Sequence, residues 1–259
     1  MSAVLQAPRR AILMLAVLPS LALAQHSPAN GAEVLGRMRQ KYATSWYPTL
    51  TFSQKTTMNR NGTTSVQTWY ETLQYFPGGA KLRIDFDKPA AGNGILYSAD
   101  SDWVVRSDTL AAVRGDGNPF IPLIENVYLQ PVTTTVQQLA PLHIDMNKVT
   151  SGRYDGRAVW IVGAASPSDS TSPQFWIDTG RLVLVRMILR LAPNRPPYDI
   201  HLDDLVQTGG GWLATRVTMY SGGVAAQTEE YSGWKSRVKL DPGLFAPATW
   251  GTANHWVKP

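Results

Sequence analysis

The stretch TLTFSQKTTMNRNGTTSVQTWYETLQYF, residues 49–76, decides the fold. At its centre Asn61-Gly62 marks a two-residue hairpin turn, because a type I′ turn needs positive φ at both central positions. Ahead of the turn Leu50, Phe52 and Met58 share one parity, while Thr49, Thr51, Ser53, Lys55 and Thr57 share the other. That is the alternation of a strand with one buried face. Arms of about 12 residues reach roughly 40 Å at ~3.4 Å per residue, against a usual strand of about 5–6 residues. Strands that long coil, and a coiled hairpin wraps around something.

Upstream, residues 30–42 read as a helix lying on a sheet. Asn30 caps it, Glu33 stands at the capping-box position, and Val34, Leu35, Met38 and Tyr42 recur at helical spacing. Downstream, residues 81–87 alternate with Leu82, Ile84 and Phe86 inward and charges outward. Further strands are expected over residues 94–98, 103–107, 158–163, 174–178, 182–191, 198–205, 212–220 and 224–231. Turn clusters such as Asp155-Gly156, Gly209-Gly210-Gly211 and Ser221-Gly222-Gly223 separate them. Neighbours joined by turns this short pair antiparallel, which makes a meander.

Two interruptions are helical in pattern. Residues 118–128 open with Asn118 and Pro119, with Pro122 complicating the first turn, and residues 134–142 place Gln137 at capping-box spacing from Thr134. Glu125 is the one charged residue in either segment. Apolar connections inside a sheet protein cover something. The Pro-rich stretch 192–197 reads as a loop, and the tail after Asp241 as a loose crossing of the sheet.

The chain begins with Arg9-Arg10, an apolar run over residues 11–24 and Ala22-Leu23-Ala24. That order is a secretory signal peptide cleaved before Gln25. The competing reading, a membrane anchor, needs roughly 20 apolar residues, more than this run supplies. The expected organisation is therefore a leader over residues 1–24 and one exported domain over 25–259. With no cysteine, neither a disulfide nor a lipid on a cleavage-site thiol is available, and stability rests on the core. The formal charge of +5 drops by two once Arg9 and Arg10 leave. No basic stripe interleaved with aromatics is present, so nucleic acid is not an expected partner.

Enzyme signatures are poor. Ser232-Gly233-Trp234-Lys235 fits S-x-x-K, but that motif needs a helix starting at the serine, and no G-x-S-x-G is present. In His201-Leu202-Asp203 the strand period puts His201 and Asp203 on one face, opposite Ile200 and Leu202, which suits a solvated surface. No close ligand pair such as H-E-x-x-H occurs. Catalysis, a metal and a cofactor are not expected. Arg114-Gly115-Asp116 is adequately read as a turn ahead of the Asn118 cap.

Four local patterns, in this order, carry a resemblance: Phe52-Ser53-Gln54-Lys55; Gly94-Ile95-Leu96-Tyr97-Ser98-Ala99-Asp100 ahead of a Trp strand; Gly117-Asn118-Pro119-Phe120 with Leu123-Ile124; and Leu240-Asp241-Pro242-Gly243-Leu244-Phe245. Together they span most of the chain after the leader. The sequence resembles the periplasmic outer-membrane lipoprotein carriers of the LolA type and the wider lipoprotein-sorting superfamily. The resemblance implies a mainly β fold, a half-open antiparallel β-barrel with an N-terminal helix and lid helices over an apolar cavity. It also implies a lipid or lipoprotein acyl chain as ligand, with an inner-membrane donor and an outer-membrane acceptor as protein partners.

The inward candidates for such a cavity are Leu50, Phe52, Leu82, Ile84, Phe86, Trp103, Val105, Trp176, Val185 and Met187, with Phe120, Ile121, Leu123 and Ile124 from the lid. The competing reading is that they fill one packed core, as alternating apolar residues do in most small barrels. An envelope-stress sensor or regulatory interaction domain of the same architecture is the alternative function. One departure from the family stands out: the carriers place a lid-holding arginine before a proline at the end of the second hairpin strand. This chain has Tyr75-Phe76-Pro77-Gly78-Gly79 there, with the proline and no preceding arginine, and Arg83 on the next strand is the candidate substitute.

Overall fold

The computed structural model describes residues 27–190 and 196–258. The expected leader and most of the Pro-rich stretch 192–197 lie outside them. Helix α1 (Gly31–Tyr42) starts where its capping signals put it. Asn30 Oδ1 accepts the Glu33 N–H at 3.0 Å, and the Glu33 carboxylate reaches back to the Ala29 N–H at 2.8 Å. Val34, Leu35, Met38 and Tyr42 are its buried face.

Strands β1 (Thr49–Arg60) and β2 (Thr63–Phe76) form the expected long hairpin, paired from Thr49↔Gln74 to Arg60↔Thr63. Asn61 and Gly62 hold φ of 49° and 75°, the two positive values a type I′ turn demands. The meander continues through β3 (Gly79–Phe86), β4 (Gly94–Tyr97), β5 (Asp102–Arg106) and β6 (Thr109–Arg114). A second meander runs through β7 (Val149–Tyr154), β8 (Arg157–Val162), β9 (Gln174–Asp178), β10 (Val183–Leu189), β11 (Tyr198–Thr208), β12 (Gly211–Ser221) and β13 (Val224–Ser236). β13 pairs with β1, so the thirteen strands make one antiparallel sheet in the order β6-β5-β4-β3-β2-β1-β13-β12-β11-β10-β9-β8-β7. Its edges β6 and β7 stay unpaired with each other, and the barrel is half-open. The two edge strands are the ones the sequence pattern did not announce. β6 keeps Leu110 and Val113 exposed, and β7 has no fully buried residue, so neither shows a one-sided alternation.

Between β6 and β7 the chain crosses from one edge of the sheet to the other. It does so through a π-helical turn (Pro122–Asn126) running on into α2 (Val127–Leu129), then α3 (Val132–Leu139). The first helical proline is Pro122 rather than Pro119, and at that position its missing N–H removes no intrahelical bond. Asn118 closes a turn instead, its Oδ1 accepting the Phe120 N–H at 2.9 Å. Helix α3 starts after Pro131 with no side-chain cap, so Thr134 lies inside it and the expected Thr134–Gln137 box does not form.

The opposite face of the sheet carries a second apolar cluster built from Leu96, Val105, Leu244, Phe245 and Trp250, with Trp103 packed against it. Val104 and Ile95, of the other parity, belong to the main core. Trp103 and Val105 were expected inward and sit outside, because the unbroken run Trp103-Val104-Val105 hides its own parity. The tail is not a loose crossing: it seals this face, with Trp250 only 2 % exposed. Beneath it Arg83 is stacked 3.7 Å from the Trp250 ring and forked onto Asp85 at 2.7 and 2.8 Å. His255 and Trp256 reach Asp85 and Thr72 from the end of the tail at 3.1 and 2.7 Å.

Asp85→Ala leaves the buried guanidinium of Arg83 without its partner. It is expected to cost about 3–5 kcal/mol in chemical denaturation, while Lys55→Ala, whose ion pair with Glu230 is exposed, shifts the midpoint little.

Candidate functional site

Between the crossing connection and the sheet lies a cavity of about 400 Å³, inside the ~300–1,000 Å³ range of small-molecule sites. Leu50, Phe52, Leu82 and Ile84 from the first three strands line one wall, Leu202, Leu213 and Val217 from β11 and β12 the other, and Phe120 and Ile124 the roof. Long hairpins supply the walls because their alternate residues all point to the concave side. The roof exists because β6 and β7 are opposite edges and the chain has to cross between them.

Of the positions expected inward, Leu50, Phe52, Leu82, Ile84, Phe120 and Ile124 meet at this cavity. Ile121 and Leu123 lie on the same helical segment but are fully buried in the main core, as are Trp176, Val185 and Met187. Phe86 is half-buried against the Trp69 ring at 5.0 Å. Trp103 and Val105 are on the far side of the sheet. Ser232-Gly233-Trp234-Lys235 is a bulge in β13: Ser53 pairs with Ser232 and Thr51 with Lys235, and Gly233 takes φ of 63°. His201 sits 3.1 Å from Asp199 beside Arg186, and Asp203 accepts the Tyr154 hydroxyl at 2.7 Å, a polar network away from the cavity wall.

Sequence patterning missed the apolar wall of Leu202, Leu213 and Val217, whose strands were expected but whose inward positions were not named, and it missed polar residues. Glu71, Glu125 and Glu229 all line the cavity, and no Lys, Arg or His among the described residues does. Signals for two of them were present: Glu71 shares its parity with Trp69 and Leu73, and in Glu229-Glu230 one carboxylate of a strand must face inward. Tyr231 and Gln227 each donate to Glu229 at 2.7 Å. Trp46 Nε1–H donates to Glu125 Oε2 at 2.8 Å, while the buried Oε1 of Glu125 has no partner. Burial, then the charge of Glu229, pushes the Glu71 carboxyl well above the ordinary range. Burial also pushes Glu125 well above that range, against the Trp46 bond, and raises Glu229 despite its three hydrogen-bonded neighbours.

The roof is held by amides. Asn126 Oδ1 accepts the Ala80 N–H at 2.7 Å, and its Nδ2 donates to Gln138 at 3.0 Å. Gln130 bonds Gln138 and Thr135, and Arg39 donates to the Gln130 carbonyl at 2.7 Å. Gly79, φ 121°, admits this contact: a Cβ there would stand 3.1 Å from Asn126 Nδ2. Arg83 does not substitute for the family's arginine, since its side chain is on the opposite face under Trp250.

Solved structures with this architecture exist. A putative outer membrane lipoprotein-sorting protein domain from Vibrio parahaemolyticus superposes with a TM-score of 0.59 at 13% identity, covering 85% of this chain and 98% of that one. The fold is LolA-like. A DUF1329 family protein from Desulfovibrio piger matches with a TM-score of 0.56 at 16% identity, covering 83% of this chain and 95% of the other. A LolA superfamily protein from Nitrosomonas europaea gives 0.48 at 9% identity, over 82% and 97% of the two chains. No family model and no curated protein matches the sequence.

The raised carboxyls set a pH dependence. Their unfolded forms titrate near 4.5, so above that pH the unfolded chain binds fewer protons than the folded one and stability falls. The contribution is whole below about pH 4.5 and is lost as pH rises through the higher folded values. Glu71→Gln is expected to melt higher than the parent at about pH 8 and equal to it near pH 4, read by thermal unfolding across the pH series.

Proposed function

We propose that this chain is an exported, periplasmic carrier that holds a lipid or lipoprotein acyl chain in the LolA-like cavity. It would receive this cargo from an inner-membrane donor and pass it to an outer-membrane acceptor. The observation that carries the reading is the roughly 400 Å³ space left between the apolar concave wall and the roof. A merely structural barrel closes such a space with side chains. At about 0.8 kcal/mol per CH₂, even part of an acyl chain gains several kcal/mol by entering. The polar contacts of the roof are neutral amides rather than a buried ion pair, which lowers that part of the cost of lifting it, and every kcal/mol of roof docking is subtracted from ligand affinity. The lipoprotein-sorting domain among the structural neighbours supports the same reading.

The test is native mass spectrometry of protein from the exported fraction, before and after organic extraction, with titration of a neutral fluorescent probe. Bound lipid and saturable probe uptake are expected. An empty cavity with a stoichiometric membrane-protein partner would favour the sensor instead. Phe120→Ala, at the cavity and half-buried, should alter probe affinity at a modest stability cost. Leu123→Ala, fully buried, should cost the ~2–5 kcal/mol of a filled core.

A further inference from the structure

We infer that the cavity selects an amphiphile with a primary ammonium head and discriminates against one with an anionic head. The inference rests on the cavity being a ligand site and names the chemistry of its occupant. Glu71 is 5 % exposed and lines the cavity, and no donor among the described residues reaches its carboxyl. Glu229 differs: Tyr231 and Gln227 already satisfy it. A buried acceptor without a donor is unfavourable, so what the site lacks is a donor.

The position of Glu71 also says how a ligand would lie. On β2 it stands opposite Phe52 of β1 and Ile84 of β3. A head group at Glu71 therefore has the apolar wall of Leu50, Phe52, Leu82 and Ile84 directly beside it for its chain. An ammonium brings three N–H donors and a positive charge, which makes the bonds charge-assisted and favours the ionised carboxylate. A carboxylate or phosphate head cannot draw that ionisation from Glu71: its own negative charge makes ionising Glu71 and Glu229 costlier still, and no lining cation among the described residues offsets its desolvation. A hydroxyl donates one bond and adds no charge, so an alcohol belongs between the two.

The experiment is displacement of a bound neutral fluorescent probe at neutral pH by dodecylamine, dodecanol and dodecanoate, each below its micelle concentration. Dodecylamine is expected to act at a concentration about tenfold or more below that of dodecanoate, with dodecanol between them. In Glu71→Gln, isosteric and neutral, the spread should shrink to within about threefold, while Lys55→Glu on the outer surface keeps the parent ranking. Dodecanol displacing the probe, with dodecanoate equal to or better than the amine, overturns the head-group inference and leaves the cavity reading standing. An undiminished amine preference in Glu71→Gln overturns it too. No saturable probe binding overturns the cavity reading and this inference with it. The parent ranking decides by itself if the variant does not fold.

Discussion

The pairing of β13 with β1, from Leu50↔Ser236 to Met58↔Gln227, is the interaction on which the rest depends. Each meander alone is a run of local hairpins with a free edge at either end. Joining the first strand to the last turns them into one continuous sheet long enough to curl. It also moves the remaining free edges, β6 and β7, to opposite ends of that sheet. The connection between them traverses the concave side, and a cavity is what lies beneath a traverse that does not fill the curve. The bulge at Gly233 sits in this same pairing and re-aims the strand between Ser232 and Lys235.

The two faces of the sheet are completed by different physics. On the outer face the tail brings Trp250 down on Arg83, and the guanidinium is stacked on the ring and forked onto Asp85. A buried charge pair of that kind is costly to break and specifies where the tail docks. On the inner face the roof rests on Ile121, Leu123 and Val127 buried in the main core and on neutral amide contacts around Asn126, Gln130 and Gln138. Breaking the amide contacts exchanges them for bonds to water, while lifting the segment also exposes those apolar side chains. One side is locked by a charge pair, the other by apolar packing and uncharged hydrogen bonds.

The carboxyls of the cavity stand out against that economy. Glu71 and the free oxygen of Glu125 are polar groups left without partners in an apolar space. Native proteins satisfy nearly all such groups, and these two stand at the wall of a cavity. Their raised affinity for protons and their appetite for a donor have one cause, burial without compensation.

Much of this was legible in the sequence alone. The Asn61-Gly62 turn, the alternation through Leu50–Phe52 and Leu82–Ile84, and the Asn30 cap are local signals, decided by sterics and hydrogen bonding within a few residues. So are most of the strands. The tertiary structure alone decided which strand closes the sheet, since β1 and β13 lie at opposite ends of the chain and no local pattern encodes their meeting. It decided the parity of Trp103-Val104-Val105, where apolar residues on both faces erase the period. It separated Phe120 and Ile124, at the cavity, from Ile121 and Leu123, in the core, although all four are apolar residues of one segment. And it decided that Glu71, whose parity already pointed it inward, has no partner there, because whether a carboxyl is solvated or stranded depends on what the rest of the chain packs over it.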